Sequence, residues 1–288
     1  MRFNIEELVD RHSETPCVVT AHGPSLNLEK DKIVRSHNDG KIIRFSVNNW
    51  WDYFAKAPDY WVLSTGVFTI ERVMHIINEH KIFTLFSDDA DFTPKKHIED
   101  NIQADWLVYD QRHWEGKRCL EILNDFRKHY QEHKDFNFLK YGNNKAMWQP
   151  PRHEGNFGHC VTNTKCCDQN IPPRKTLQET LRDITGCDEH YSTGDSVTLH
   201  AIAFAIIMGC NPIYVSGLDL DYNKGYANEN MTDWEQKANS PNAFMPVREN
   251  FLNDLNVLNR SANHRGLKII NLNPQPWYNS FQLGDFDI

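Results

Sequence analysis

Short apolar, β-branched runs alternate along the chain with longer stretches of helical periodicity, starting near residue 16. Residues 16–21 form one such run and stop at Gly23-Pro24, a turn signal. A second strand is predicted over 41–47, ending at Asn48-Asn49, and a third over 59–64, followed by helical spacing over 67–79. Runs at 81–86 and 104–109 predict the fourth and fifth strands. Over 117–132, Leu120, Leu123, Phe126, Arg127 and Tyr130 fall on related turns of a helix. Helices are then predicted over 176–185 and 195–208, a strand over 211–216, a helix over 246–264 and a last strand over 267–272. Strands separated by helices argue for an α/β fold, a Rossmann-like, mostly parallel sheet flanked by helices.

The aperiodic region 134–174, rich in Asn, Pro, Gly, His and Cys, is too long for an ordinary loop. It is expected to be a lid or insertion within a single domain covering residues 1–288. A chain of this length can bury a sizeable core, and 40% apolar with 24% charged residues is a globular composition. The net charge of −8 argues against a broad basic surface for nucleic acid. The longest apolar run, 201–210, is about half of what a membrane-spanning helix needs and reads as a buried helix. No apolar signal core follows Met1, and seven Cys in such a chain fit reduced thiols, so the expected location is cytoplasmic.

Ligand sites of open parallel sheets lie beyond the carboxyl ends of the strands. Three predicted strand ends carry suitable chemistry. The first runs into His22-Gly23-Pro24-Ser25, where Gly23 allows close backbone approach and Ser25 offers a hydroxyl and an amide to a phosphate. A plain turn accounts for the same residues. Asn48 and Asn49 precede Trp50-Trp51-Asp52-Tyr53-Phe54, which could hydrogen-bond and stack a base or sugar, or simply cap an aromatic core. The third element is His190-Tyr-Ser192-Thr193-Gly194 before a strongly apolar helix, then a strand leading to Ser216-Gly217-Leu218-Asp219. A helix start of that kind favours a carboxylate or phosphate, although Ser and Thr there are also ordinary caps.

In this order, Gly23-Pro24-Ser25-Leu26, the strand ending in Asn48, Ser192-Thr193-Gly194, and Ile213-Tyr-Val-Ser-Gly-Leu-Asp219 with Tyr222 and Tyr226-Ala227 resemble the bacterial sialyltransferases of glycosyltransferase family 42 and their superfamily. That superfamily includes archaeal 6-hydroxymethylpterin diphosphokinase-like proteins and flagellin-modifying transferases. The resemblance spans about residues 16–272. It implies transfer of a sugar, such as a CMP-linked acidic nonulosonate, from a nucleotide donor to a hydroxyl of a glycan or small-molecule acceptor. A CMP- or CDP-linked donor is favoured, and the family's habit of oligomerising implies a homo-oligomer. Gly23, Pro24 and Ser25, with His22, would cradle nucleotide phosphate and ribose. Asn48, with Asn49, would hydrogen-bond the donor. Ser192, Thr193 and Gly194, with the strand end at Ser216, Gly217 and Asp219, would complete its site. Tyr226 and Tyr222 would stabilise the departing phosphate.

Departures from the family pattern shape the chemistry. His22 stands where those enzymes carry Asn, and His190 where they carry Arg. Their catalytic His precedes the last helix, a segment that here reads Asn242-Ala-Phe-Met-Pro-Val-Arg-Glu249. His190 and Glu249 are the nearest candidates for the base that takes the acceptor proton. The resemblance implies that no cofactor is required. Asp219-x-Asp221, an Asp-x-Asp at a strand end, keeps Mg²⁺ or Mn²⁺ open. Two alternative functions also stay open, a Mg²⁺-dependent diphosphokinase on a pterin-like alcohol and a non-catalytic nucleotide-binding relative. Zinc among His153, His159, Cys160, Cys166, Cys167, Cys187 and His190 is disfavoured, because no Cys-x-x-Cys pair occurs.

Overall fold

The computed structural model describes residues 1–63, 70–87, 100–109, 177–187, 196–230, 251–273, 275 and 279–288. The expected helix over 117–132, the insertion 134–174 and the acidic loop at Asp88, Asp89 and Asp91 lie outside them. Within them, eight strands form a single sheet: β1 (Cys17–Thr20), β2 (Ile43–Val47), β3 (Tyr60–Leu63), β4 (Phe83–Ser87), β5 (Trp106–Tyr109), β6 (Ile213–Ser216), β7 (Ile269–Asn271) and β8 (Gln282–Leu283). Their spatial order is β5-β4-β3-β2-β1-β6-β7-β8, and every neighbouring pair is parallel. The seven predicted strands are present; β8 is an addition. Its two exposed residues, Gln282 and Leu283, have no apolar run to announce them.

Among the described residues five helices flank the sheet: α1 (Leu26–Asn38), α2 (Ile70–His80), α3 (Leu177–Thr185), α4 (Val197–Ile207) and α5 (Phe251–His264). Side-chain alternation along the strands sorts the core into two layers. Cys17 and Val19, Phe45 and Val47, Tyr60 and Val62, and Ile213 and Val215 pack with α3, α4 and α5. Val18, Trp61, Leu63, Phe86 and Tyr214 pack with Leu26 and Ile33 of α1 and Val73 and Ile77 of α2. α4 is apolar all round because it is covered all round: every residue from Thr198 to Ile207 is buried. Among the described residues no helix is long and apolar enough to cross a membrane. α1 is the opposite case. Only Leu26, Ile33, Ser36 and His37 of its 13 residues are buried, so its hydrophobic stripe is too sparse for periodicity to reveal.

The segment between β2 and β3, which carries one wall of the site described below, is pinned from beneath. Arg44 on β2 is 1% exposed, lies over the Phe54 ring at 4.1 Å, and donates from Nη2 to the Lys56 carbonyl. Asp59 Oδ2 accepts the Arg44 N–H at 2.8 Å and faces His37 Nε2 at 3.1 Å. Burial pulls the Arg44 guanidinium down to about 10, partly offset by Asp59. Burial also pushes the Asp59 carboxyl up, but the bonds from His37 and the Arg44 N–H together outweigh it and leave Asp59 below its usual value.

A carboxyl depressed by folding contributes stability that is present above its unfolded pKa and disappears as pH falls through the folded one. Melting temperature measured between about pH 5 and pH 3 should therefore fall more steeply for the wild type than for Asp59→Asn. Equal slopes would show that Asp59 carries no acid-sensitive stability.

Candidate functional site

The chain leaves β1 through α1 on one face of the sheet, while β6, the other neighbour of β1, is followed by α5 on the opposite face. The strand order reverses there, and a crevice opens beyond the carboxyl ends of β1 and β6. Four consecutive strands in the sheet, β2, β1, β6 and β7, send their following loops to this crevice: residues 48–54, 21–25, 217–227, and 272, 273 and 275.

Backbone pairing extends past the ends of β1 and β6. Ala21 N–H donates to the Ser216 carbonyl and Gly23 N–H to the Gly217 carbonyl, both at 2.8 Å. At this separation side chains do not fit. A Cβ on Gly23 would stand 2.1 Å from Asp219 Oδ2 and 2.6 Å from the Gly217 carbonyl oxygen. Gly217 adopts φ +76, and a Cβ there would lie 2.6 Å from the Ala21 carbonyl oxygen. The two glycines let the loops close on each other, and Asp219 fills what remains.

Asp219 is buried at 4% exposure, with both oxygens occupied. Oδ2 accepts the Ser25 N–H at 2.9 Å and Oδ1 accepts Gln275 Nε2–H at 2.6 Å. The amides of Leu26, Asn27 and Leu28 donate to the carbonyls of Gly23, Pro24 and Ser25. The start of α1 thus has its anion built in, and what Ser25 offers a ligand is its hydroxyl rather than its amide. Ser25 Oγ does not cap α1 and, although buried, has no hydrogen-bond partner among the described residues. Two further buried polar atoms at the same pole share that condition, Asn48 Oδ1 after β2 and Asn273 Nδ2 after β7. Buried polar atoms are normally paired, and a polar ligand or water pairs those that the chain does not.

Asn48 sits at φ +41, a conformation that Asn tolerates better than most residues, and its carbonyl accepts the Trp61 indole N–H at 2.6 Å. Asn49 donates from Nδ2 to Asp52 and is turned toward the short turn Trp50–Asp52 rather than the crevice. Trp50 and Trp61 are core, at 2% and 0% exposure. Tyr53 stacks on His22, centroids 4.3 Å apart and planes 19° from parallel, which joins the β2 loop to the β1 loop. Beyond β6 the chain runs back across both. Ala227 N–H donates to the His22 carbonyl at 2.9 Å, Asn27 Nδ2 to the Ala227 carbonyl at 2.9 Å, and Asn228 Nδ2 to the Asp52 carbonyl at 2.9 Å. Tyr222 and Tyr226 meet edge to face at 6.2 Å on this segment.

His22, Gly23, Pro24, Ser25, Asn48, Ser216, Gly217, Asp219, Tyr222 and Tyr226 therefore gather at one pole. Ser216 lies inside it as a structural residue, its Oγ donating to Asn273 Oδ1 at 3.3 Å. His190, Ser192, Thr193, Gly194 and Glu249 lie outside the described residues, as do His153, His159, Cys160, Cys166 and Cys167. Cys187 is a buried free thiol. The two carboxylates of the Asp-x-Asp do different work. Asp219 ties loops together, while Asp221 Oδ1 accepts the Asn223 N–H at 3.0 Å and caps the turn Tyr222–Lys224. No group of three or more His, Cys, Asp or Glu at metal-ligand spacing occurs among the described residues.

Asn273 and Gln275 escaped the sequence reading. Asn273 Oδ1 accepts the Gly217 N–H at 2.8 Å, and Gln275 holds Asp219. Their signal was the polar Asn273-Pro-Gln275 directly after the last predicted strand, the same kind of strand end as the other three.

Fold and site together define an open, parallel α/β protein with a polar crevice at its topological switch point. No family model matches the chain, and no curated protein matches it. Among solved structures it is similar to the sialyltransferase Cst-II. An asparagine-to-alanine variant of Cst-II in complex with CMP aligns with TM-score 0.46 at 16% identity, over 93% of this chain and 86% of that chain. A tyrosine-to-phenylalanine variant in complex with CMP aligns with TM-score 0.44 at 14% identity, over 93% and 86%. The Campylobacter jejuni enzyme in complex with the substrate analogue CMP-3FNeuAc aligns with TM-score 0.43 at 14% identity, over 93% and 86%.

Replacing Gly23 by Ala should lower the unfolding free energy by about 1–3 kcal/mol, the usual cost of forcing an extra carbon into a closed site. Denaturant midpoints compare the variant with the wild type. A Gly23→Ala protein as stable as the wild type would mean that the β1 and β6 loops do not close as described.

Proposed function

We propose that the chain is a glycosyltransferase that takes its sugar from a nucleotide donor, with a CMP-linked donor favoured, and passes it to a hydroxyl acceptor. One observation carries this reading. Of the residues that carry the resemblance, those described here follow β1, β2 and β6 and lie beside one crevice of the kind in which such a sheet binds ligands. Buried there, and without a hydrogen-bond partner among the described residues, are Ser25 Oγ and Asn48 Oδ1, suited to the hydroxyl and amide groups of a nucleoside.

In the proposed reaction the acceptor oxygen attacks the anomeric carbon, the bond from that carbon to the phosphate oxygen breaks, and the nucleoside phosphate departs. Its developing negative charge calls for fixed O–H donors, the role this reading gives to Tyr226 and Tyr222. The acceptor proton passes to a base, for which His190 and Glu249 are the candidates. Asp219 makes the β1 loop electronegative, which favours placing the phosphate toward the tyrosine segment rather than over the start of α1.

Thermal shift is the direct test, since a ligand that binds only the folded state raises its melting temperature. Among CMP, CDP, UDP, GDP, ADP and ATP, CMP or CDP should stabilise the protein without added metal. Ser25→Ala should weaken CMP binding about tenfold while leaving the unliganded melting temperature within about a degree or two, and Asn48→Gly, which keeps the positive φ unstrained, should weaken it by a similar factor. Tyr226→Phe should bind CMP yet transfer sugar about 10²-fold more slowly. A shift only with ATP and Mg²⁺ would point to phosphoryl chemistry, and no shift with any nucleotide would overturn the proposal.

A further inference from the structure

The Gln275 amide lies between two opposite charges. Its Nε2–H donates to Asp219 Oδ1 at 2.6 Å, and its Oε1 accepts from Lys224 Nζ at 3.0 Å. The charges dictate its orientation: turned over, the carbonyl oxygen would face the carboxylate and the NH₂ the ammonium. Both bonds are charge-assisted, and donation at one end strengthens acceptance at the other. From Asp219 the chain of bonds continues through Oδ2 to the Ser25 N–H of the β1 loop. From Lys224 it continues into the turn Tyr222–Lys224, which begins at Tyr222 and ends two residues before Tyr226. One side chain beyond β7 thus spans the loop that carries Ser25 and the segment that carries both tyrosines.

We infer that Gln275 is a positioning residue, setting the β1 loop through Asp219 and the tyrosine-bearing segment through Lys224. It rests on the proposed donor site only for its consequence in function; the mechanical link is independent of what binds. Other residues cannot span this gap in the same way. Leucine leaves Asp219 Oδ1 buried with its donor removed, and glutamate sets a second carboxylate against the first, so that the pair retains a proton at a pH where a lone carboxyl would have lost it. Asp219 and Lys224 face this position directly. Among the described residues of the loops around it, Asp221, His22, Tyr222, Tyr226, Asp52 and Tyr53 are the other titratable groups.

Amide hydrogen exchange tests the link without any ligand. In Gln275→Leu, exchange at Ser25 and Ala227, whose amides tie the β1 loop to Asp219 and to the tyrosine segment, should accelerate about tenfold or more. Val18 and Val215, in the middle of β1 and β6, should keep wild-type rates. The second arm is CMP binding to the full chain. Gln275→Glu should bind CMP like the wild type near pH 5 and about tenfold more weakly near pH 8, over a range where the wild type changes less than threefold. A merely structural side chain would not produce that pH profile. Unchanged exchange in Gln275→Leu, or acceleration equal at all four amides, overturns the inference. So does a Gln275→Glu protein whose CMP affinity follows the wild type across the pH range. If the wild type does not bind CMP but exchange responds locally, the donor-site reading fails and the positioning role stands. If CMP binds wild type and both variants alike at every pH and exchange is unchanged, the positioning role fails and the donor-site reading stands.

Discussion

The whole molecule depends on β1 being a parallel strand with parallel partners on both sides. Cys17–Thr20 pairs in register with residues 43–46 of β2 and with residues 213–216 of β6, and all four of its residues are buried. A strand so enclosed can present chemistry only where it ends. Because the helices after β1 and β6 cover opposite faces, no described helix or strand fills the space beyond those two ends. The crevice is therefore a consequence of connectivity, and the polar residues in it are those that the core has no room to accept.

That crevice is held in shape by a buried carboxylate, which is an expensive way to hold anything. A buried ion requires compensating donors, and Asp219 has them on both oxygens, from Ser25 and Gln275. The arrangement also constrains the ligand. The α1 N-terminus, the usual resting place for a phosphate in such folds, already carries its negative charge. Among the described residues, the buried groups there without a partner are neutral: the Ser25 hydroxyl, Asn48 Oδ1 and Asn273 Nδ2. Neutral donors and acceptors of this kind suit a polar, uncharged part of a ligand better than an anionic one. Positive φ at both Gly217 and Leu220 marks the same loop as one bent to meet its neighbours.

Much of the architecture could be read from the chain because strands buried on both faces are written as short unbroken apolar runs. Val18-Val19, Phe45, Trp61-Val62-Leu63 and Leu85-Phe86 needed no partner to be recognised, and neither did the all-apolar α4. α1 was missed because one sparse stripe suffices to seat it on the sheet, so Leu26 and Ile33 stand alone among polar residues. Asn273 and Gln275 were missed for a different reason. An Asn or Gln after a strand is the commonest kind of surface residue, and nothing local distinguishes one that bonds Gly217 or Asp219, more than fifty positions away.

Local pattern determined the α/β class, the order of the first seven strands and the strand ends at which polar chemistry collects, because burial and turn formation are properties of neighbouring residues. Tertiary structure alone decided which ends face one another, that Asp219 occupies the start of α1, and that Gln275 bridges it to Lys224. Those outcomes follow from the reversal of strand order at β1, a choice of spatial neighbour that no short stretch of sequence encodes.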